Sequence, residues 1–204
     1  MMAVTRQRLQ HLWQHHAPAL LLALLTLLFA AAGEQLAALL RYQRSAIIEG
    51  EWWRVVTGHL VHLGWPHLLM NLAGLVLIWL LFGRLLNWRQ WLLVWLLSSL
   101  STSLGLWWLE TDLEWYVGLS GVLHGLFVAG AMAAICRGYR AEIVLLLVVT
   151  AKLLWETSHG PLPGSSSLAG GEVIVAAHLY GAIGGLLHGM LAMLGRFGKR
   201  WRKG

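Results

Sequence analysis

Apolar stretches long enough to cross a lipid bilayer recur along the whole chain, and they constrain the fold more than any other feature. Of the 204 residues, 58% are hydrophobic and only 12% are charged, whereas a soluble domain of this size carries about 25% charged residues. A membrane-crossing helix needs about 20 mostly apolar residues. The sequence therefore predicts an all-α, polytopic membrane protein with six transmembrane helices, at about residues 17–33, 67–84, 90–109, 118–136, 142–156 and 173–195.

The tails and loops between these stretches are too short to bury a second core, so we expect one membrane domain over residues 1–204. Its core covers about residues 17–195, and a basic tail follows at 196–204. The first apolar stretch lacks a clear small-residue cleavage site, which favours a retained helix over a signal peptide. The Gly-, Ser- and Pro-rich loop at 159–171 either caps a site or only connects two helices. Cys136 is the only cysteine, so the sequence predicts neither an intramolecular disulfide nor a cysteine metal site.

The charged residues are distributed unequally on the two sides of the predicted helices. If the N-terminus is cytoplasmic, 11 of the 15 Lys and Arg residues lie on the cytoplasmic side and 8 of the 9 acidic residues lie on the other side. Basic residues favour the cytoplasmic side of membranes, so both termini are predicted to be cytoplasmic. The net charge of +6 is explained by this orientation and by contact with anionic lipids, and we expect no nucleic-acid partner.

Polar residues on three predicted helices lie at the same depth. A helix rises about 1.5 Å per residue, which places Ser120, His178 and His67 all roughly 25 Å from the cytoplasmic face, with Asn71 one turn deeper. Polar groups inside a membrane are costly and are usually functional. A hydroxyl and an imidazole at matching depth on two helices predict a nucleophile and its general base.

Small residues recur every four positions on the two helices that carry Ser120 and His178. They are Gly121, Gly125, Ala129 and Ala133 on one helix, and Gly181, Gly185 and Gly189 on the other. This spacing lets membrane helices approach closely, as a direct contact between Ser120 and His178 requires. His178 has no carboxylate within its own helix to orient it, so the pattern favours a Ser–His dyad over a Ser–His–Asp triad.

Two other groups of ionisable residues lie outside the Ser120–His178 pair. Lys152 and Glu156 are four residues apart and share a helix face. They either neutralise each other near the outer interface, or Glu156 faces the active-site cavity and helps to bind the substrate. His59, His62 and His67 cluster in the sequence, but no acidic or Cys ligand joins them at a recognised spacing. We therefore expect no metal and no cofactor.

Three motifs, one on each of three helices, resemble those of the rhomboid intramembrane serine proteases: His67-x-x-x-Asn71, Gly118-x-Ser120-Gly121 and His178-x-x-Gly181. The resemblance covers about residues 17–195 and implies a six-helix rhomboid-like bundle. It also implies that Ser120 is the nucleophile, that His178 is the base, and that His67 and Asn71 stabilise the oxyanion. A non-catalytic rhomboid-like protein that binds membrane helices is the alternative, although such proteins typically lack the serine or the histidine.

A narrower resemblance is to the rhombosortase branch. It rests on the stretches EWWRVVTGHLVHLGWPH at 51–67, GLSGVLHG at 118–125 and KLLWE at 152–156. It implies a bacterial inner-membrane enzyme that opens to the periplasm. Its substrates would be exported proteins with a C-terminal tail of Gly-Gly, an apolar helix and basic residues. Whether water or an amine acceptor then takes up the cleaved chain is open. His124 replaces an aromatic that commonly packs on the catalytic histidine, so it is expected to support His178.

Overall fold

The computed structural model is mostly helical, and it describes the backbone of residues 2–201 and the side chains of residues 15–194. The helices are α1 (Met2–Ala31), α2 (Glu34–Leu40), α3 (Arg44–Ile48), α4 (Arg54–Thr57), α5 (Trp65–Phe82), α6 (Trp88–Leu109), α7 (Ser120–Ile135), α8 (Glu142–His159), α9 (Ser165–Ala169) and α10 (Ala176–Trp201). Two short antiparallel strands, β1 (Tyr42–Gln43) and β2 (Trp115–Tyr116), pair with each other. The side chains of the predicted basic tail at 196–204 lie outside the described residues.

Each of the six predicted apolar segments coincides with one long helix of the structure. Three helices are long and apolar enough to cross a membrane, namely α5, α6 and the Ala176–Leu194 part of α10. Two further helical segments, His15–Ala31 and Ser120–Ile135, are apolar but shorter. The remaining segment, α8, contains Lys152 and Glu156, which lower its hydropathy. The molecule is therefore an α-helical membrane protein with three clear candidate spans.

Local sequence signals define several helix ends. At the start of α6, the Asn87 side chain accepts a hydrogen bond from the Gln90 backbone N–H at 3.1 Å, and the Gln90 side chain accepts one from the Asn87 N–H at 3.0 Å. This reciprocal pair satisfies two N–H groups that the helix itself leaves free. Pro66 lies in the first turn of α5, where its missing N–H costs nothing.

Helix α10 lies directly against α7 because both helices carry glycine at the contact. A Cβ atom on Gly181 would collide with the carbonyl oxygen of Gly121, and one on Gly185 would collide with that of Gly125. The predicted close approach is therefore confirmed. It brings the first turn of α10 next to the first turn of α7.

The long segment between α1 and α5 is held by buried polar contacts. The Arg54 side chain donates to the carbonyl oxygens of Ala38 at 2.7 Å and Arg41 at 3.0 Å, and it pairs with Glu51 at 2.5 Å. His59 is fully buried, and its Nε2 lies 3.1 Å from the Ser103 hydroxyl oxygen. Burial lowers the pKa of His59 to about 4, so this imidazole is neutral near pH 7. The Arg54 contacts therefore hold the segment together, and the His59 contact fixes it against α6.

Candidate active site

The predicted hydroxyl and imidazole meet at the starts of two helices. Ser120 is the first residue of α7, and His178 lies in the first turn of α10. The distance between the Ser120 Oγ and the His178 Nε2 is 3.0 Å, which is hydrogen-bonding distance. The contact predicted from their shared depth is therefore found. The free N–H groups and the positive dipole end of α7 lie beside the Ser120 hydroxyl, where they favour a developing negative charge.

The chain before Ser120 is fixed in a conformation that only glycine accommodates. Gly118 has a φ of +130°, and a Cβ atom on it would lie 2.7 Å from Cε1 of His67. The Tyr116 hydroxyl donates to the Gly118 carbonyl at 2.9 Å, and the Gly118 N–H donates to the Gly58 carbonyl at 3.1 Å. Burial raises the pKa of Tyr116 to about 12, so this hydroxyl remains a donor. The turn therefore presents Ser120 in one orientation.

A carboxylate from α8 contacts the other nitrogen of His178. The Oε2 atom of Glu156 lies 2.9 Å from the His178 Nδ1, and the Glu156 side chain is only 4% exposed. The dyad predicted from the sequence rests on the absence of a carboxylate from the helix of His178 itself. In the structure, α8 brings a carboxylate to His178 from a different helix. The signal in the sequence was an ionisable residue inside an apolar helix.

Lys152 and His124 complete the cluster around His178. The Lys152 Nζ lies 2.6 Å from the Glu156 Oε2 on one face of α8, and both residues line the cavity described below. The same Nζ lies 3.0 Å from the His124 Nε2 and 3.4 Å from the His178 Nδ1. The His124 ring stacks on the His178 ring with centroids 4.3 Å apart and 20° between their planes. This is the position in which the sequence predicts a ring against His178.

The donor atoms of His124, Glu156 and His178 lie within 4.8 Å of one another, so by distance they resemble a metal-ligand set. The Lys152 ammonium contacts all three, which places a cation of the protein where a metal ion would sit. The histidines of the predicted loop cluster have other surroundings. His59 contacts Ser103, whereas neither ring nitrogen of His62 has a hydrogen-bond partner among the described residues.

The two polar residues predicted on α5 lie next to each other. The Leu63 backbone N–H donates to the His67 Nδ1 at 3.4 Å, so the proton of the neutral ring lies on Nε2. The Asn71 side-chain nitrogen donates to the His67 carbonyl at 3.0 Å. An amide nitrogen carries two hydrogens, which leaves Asn71 one donor for a ligand. The pair therefore offers two donors.

All the predicted site residues line one cavity of about 370 Å³. They are His67, Asn71, Ser120, His124, Lys152, Glu156 and His178. The Gly/Ser-rich loop also reaches the cavity, since Ser165 and Ala169 of α9 form part of its lining and α9 packs against α5. Of the two interpretations of this loop, the structure favours the cap.

Comparison with known proteins identifies the class. Residues 49–194 match the Rhomboid domain family, which covers all the residues of the cavity. The chain is also similar to a Bacillus subtilis (strain 168) protein named "Putative rhomboid protease YdcA". The two are 28% identical over 152 residues, which are 72% of this chain and 70% of the relative.

Proposed function

Because the chain belongs to the rhomboid family and is an intramembrane serine protease, we propose that Ser120 is its nucleophile and His178 its general base. The observation that carries this proposal is the 3.0 Å contact between the Ser120 Oγ and the His178 Nε2 in a cavity lined by donors and a carboxylate. Ser120 and His178 are both present and in contact, which argues against the non-catalytic alternative.

The reaction follows from this geometry. The Ser120 Oγ attacks the carbonyl carbon of the scissile peptide bond while its proton passes to the His178 Nε2. The C–N bond then breaks, and the leaving amine takes the proton from His178. An acyl-enzyme remains on Ser120 and is resolved by water, or by an amine acceptor in a transfer reaction. The Glu156 carboxylate accepts from the His178 Nδ1–H throughout, so a catalytic pair extended by Glu156 describes the site better than an isolated dyad.

The oxyanion formed in this attack needs donors that are already in place. We assign this role to the His67 Nε2–H, the second Asn71 N–H and the backbone N–H groups at the start of α7. His67 and Asn71 line the same cavity as Ser120. Each donor is held by its own helix or loop, so little reorganisation accompanies charge development.

The proposed setting is the inner membrane of a bacterium, with a six-helix bundle, both termini in the cytoplasm and the cavity open to the periplasm. The distribution of Lys and Arg along the sequence supports this orientation. The two shorter apolar helical segments, together with α8, would complete the six spans. Water would reach Ser120 from the periplasmic side, past the loop that contains α9.

The proposed substrates are exported proteins with a C-terminal tail of Gly-Gly, an apolar helix and basic residues. A transmembrane helix hides its carbonyls in its own hydrogen bonds, so the scissile segment must be extended or unwound. Glycine disfavours the helix and lets another chain approach its backbone closely. The rhombosortase-like motifs at 51–67, 118–125 and 152–156 support this specificity.

Labelling with a serine-reactive fluorophosphonate tests the proposed catalytic pair. We expect the wild-type protein in detergent to be labelled, Ser120→Ala to remain unlabelled, and His178→Ala to react at least about 10³-fold more slowly, since the members of such a unit act together. Ser98→Ala is a matched control, because Ser98 is a buried serine on α6 away from the cavity lining. Equal labelling of Ser120→Ala and wild type would contradict the assignment.

A further inference from the structure

The hydrogen bonds around His178 form a closed ring that begins and ends at Ser120. From the Ser120 Oγ it passes to the His178 Nε2 at 3.0 Å, and from the His178 Nδ1 to the Glu156 Oε2 at 2.9 Å. The same oxygen accepts from the Lys152 Nζ at 2.6 Å, and this ammonium also contacts the His124 Nε2 at 3.0 Å. The His124 Nδ1 lies 2.7 Å from the Ser120 carbonyl oxygen and closes the ring.

With the Lys152 ammonium and the Glu156 carboxylate charged and the His178 ring neutral, one arrangement of protons satisfies this ring. A carbonyl oxygen only accepts, so the His124 Nδ1 carries a hydrogen and its Nε2 must accept. The Lys152 ammonium only donates, and it therefore gives one hydrogen to His124 and another to Glu156. The carboxylate accepts from the His178 Nδ1–H, which leaves the His178 Nε2 free to accept the Ser120 proton. The ring thus fixes the tautomer that a general base needs.

The charges of the ring are balanced before the reaction and unbalanced during it. While His178 is neutral, the positive charge of Lys152 and the negative charge of Glu156 cancel. When His178 takes the proton of Ser120, the Glu156 carboxylate attracts the new charge, whereas the Lys152 ammonium, 3.4 Å from the His178 Nδ1, repels it. Such interactions are strong in a partly buried site. Glu156 is 4% exposed and Lys152 is 28% exposed at the side chain, so solvent screens them poorly.

We propose that Lys152 and Glu156 act together as positioning residues that hold His178 in its reactive tautomer and set the charge balance of its protonated form. The proposal rests on the function proposed above and gives these two residues a role other than substrate binding. If the proposal holds, the effect of a substitution at Lys152 on the reactivity of Ser120 depends on whether Glu156 is present. Without Glu156, the Lys152 ammonium would oppose protonation of His178, so loss of that ammonium would then become favourable.

Double variants test this dependence through the labelling rate of Ser120 by a small fluorophosphonate. In this reaction the Ser120 Oγ forms a bond to phosphorus, fluoride leaves, and the proton passes to His178. We expect Glu156→Gln to label at least about 10²-fold more slowly than wild type. Adding Lys152→Met should speed that variant about tenfold, because it removes the like charge. Adding Lys152→Arg instead, which keeps the charge, should give no recovery.

The possible results separate this inference from the proposed function. Labelling of wild type that does not depend on Ser120 would contradict the proposed function itself. Ser120-dependent labelling with no recovery in Lys152→Met/Glu156→Gln, or with equal recovery in Lys152→Arg/Glu156→Gln, would contradict only the present inference. A Lys152 that merely bound substrate would give that result, since the probe is small.

The thermal unfolding midpoint of each variant shows whether its fold is intact. If Glu156→Gln does not yield folded protein, the single variants at position 152 decide the question. Lys152→Arg should then label at a rate close to wild type. Lys152→Met should label more slowly, because its side chain no longer donates to Glu156 and His124 and the ring is open. Equal rates in these two single variants would overturn the proposal.

Discussion

At the scale of single residues, the donors on α5 differ in how firmly they are held. The His67 ring is fixed on one side by the Leu63 N–H and on the other by Gly118, whose missing side chain makes room for it. The Asn71 amide is tied by one hydrogen bond to the carbonyl one turn before it. Each side chain therefore keeps one N–H for a ligand. Both side chains are buried, so these N–H groups lie in a poorly solvated site. Donors in such a setting stabilise charge far more than they would in water.

We therefore expect Asn71→Ala to lower the turnover number by about 10²-fold, the scale for loss of one oxyanion donor, with little change in substrate binding. The measurement is the steady-state rate of cleavage of a tagged substrate in detergent, with KM determined in parallel. Asn71→Asp is the informative comparison, because it keeps the size but replaces a donor by a carboxylate. An unchanged turnover number in Asn71→Ala would show that this side chain is only structural.

At the scale of helices, the site depends on how closely α10 lies against α7. Ser120 and His178 both lie in first turns, so their contact is set by helix packing and not by a flexible loop. The Gly181 Cα faces the carbonyl of Gly121 with no room for a Cβ. Near the other end of the same face, a Cβ on Gly189 would first meet the Met132 side chain, at its Sδ, at its Cε (2.6 Å) and at its Cβ (3.3 Å), and no backbone atom of α7 that near. The thioether end of methionine is flexible and can move aside.

Gly181→Ala should therefore force the two helices apart, while Gly189→Ala, a matched change in the same helix, should be tolerated. Overpacking of this kind costs about 1–3 kcal/mol, and the separation should also slow Ser120 labelling by at least about tenfold, because proton transfer needs hydrogen-bonding distance. Thermal unfolding and fluorophosphonate labelling measure the two effects. Similar behaviour of the two glycine variants would exclude helix approach as the cause.

The limits of prediction from the sequence are also clearest at this scale. The long helices and the depth of Ser120, His178 and His67 follow from apolar length and rise per residue, which are local properties. The contact between Glu156 and His178 depends on the rotation of α8 relative to α10, which no local pattern determines. The edge-to-face contact between the His62 and His67 rings, with centroids 5.1 Å apart, is another consequence of three-dimensional packing. Sequence motifs therefore indicate the residues proposed to react but not the complete ring around them.

At the scale of the whole molecule, the two ends of the bundle differ in charge and in chemistry. Ser120, His178 and the loop with α9 lie at one end, where the acidic residues of the loops also lie. Cys136 follows the other end of α7, next to Arg137 and Arg140, and it is exposed. Since it is the only cysteine of the chain, it reports on the orientation of the protein without any background.

We expect a membrane-impermeant maleimide to label Cys136 in inside-out membrane vesicles and not in intact spheroplasts, because basic flanks favour the cytoplasmic side. The matched control is Cys136→Ser/Glu172→Cys, which moves the thiol to an exposed position at the opposite end of the bundle. That variant should be labelled in spheroplasts. Labelling of Cys136 from outside intact cells would reverse the proposed topology while leaving the catalytic pair unaffected.

The same orientation determines which end of a substrate tail can reach Ser120. A tail with basic residues in the cytoplasm and an apolar helix across the bilayer would bring a preceding Gly-Gly to the periplasmic end, close to the cavity. Replacing that Gly-Gly by Leu-Leu should reduce cleavage strongly, because leucine favours the helix and its side chain crowds the approach to the backbone. Co-expression of the protease with tagged wild-type and Leu-Leu substrates, followed by size analysis, measures the difference, and Ser120→Ala provides the uncleaved reference. Equal cleavage of the two substrates would refute the Gly-Gly specificity and leave the serine protease chemistry intact.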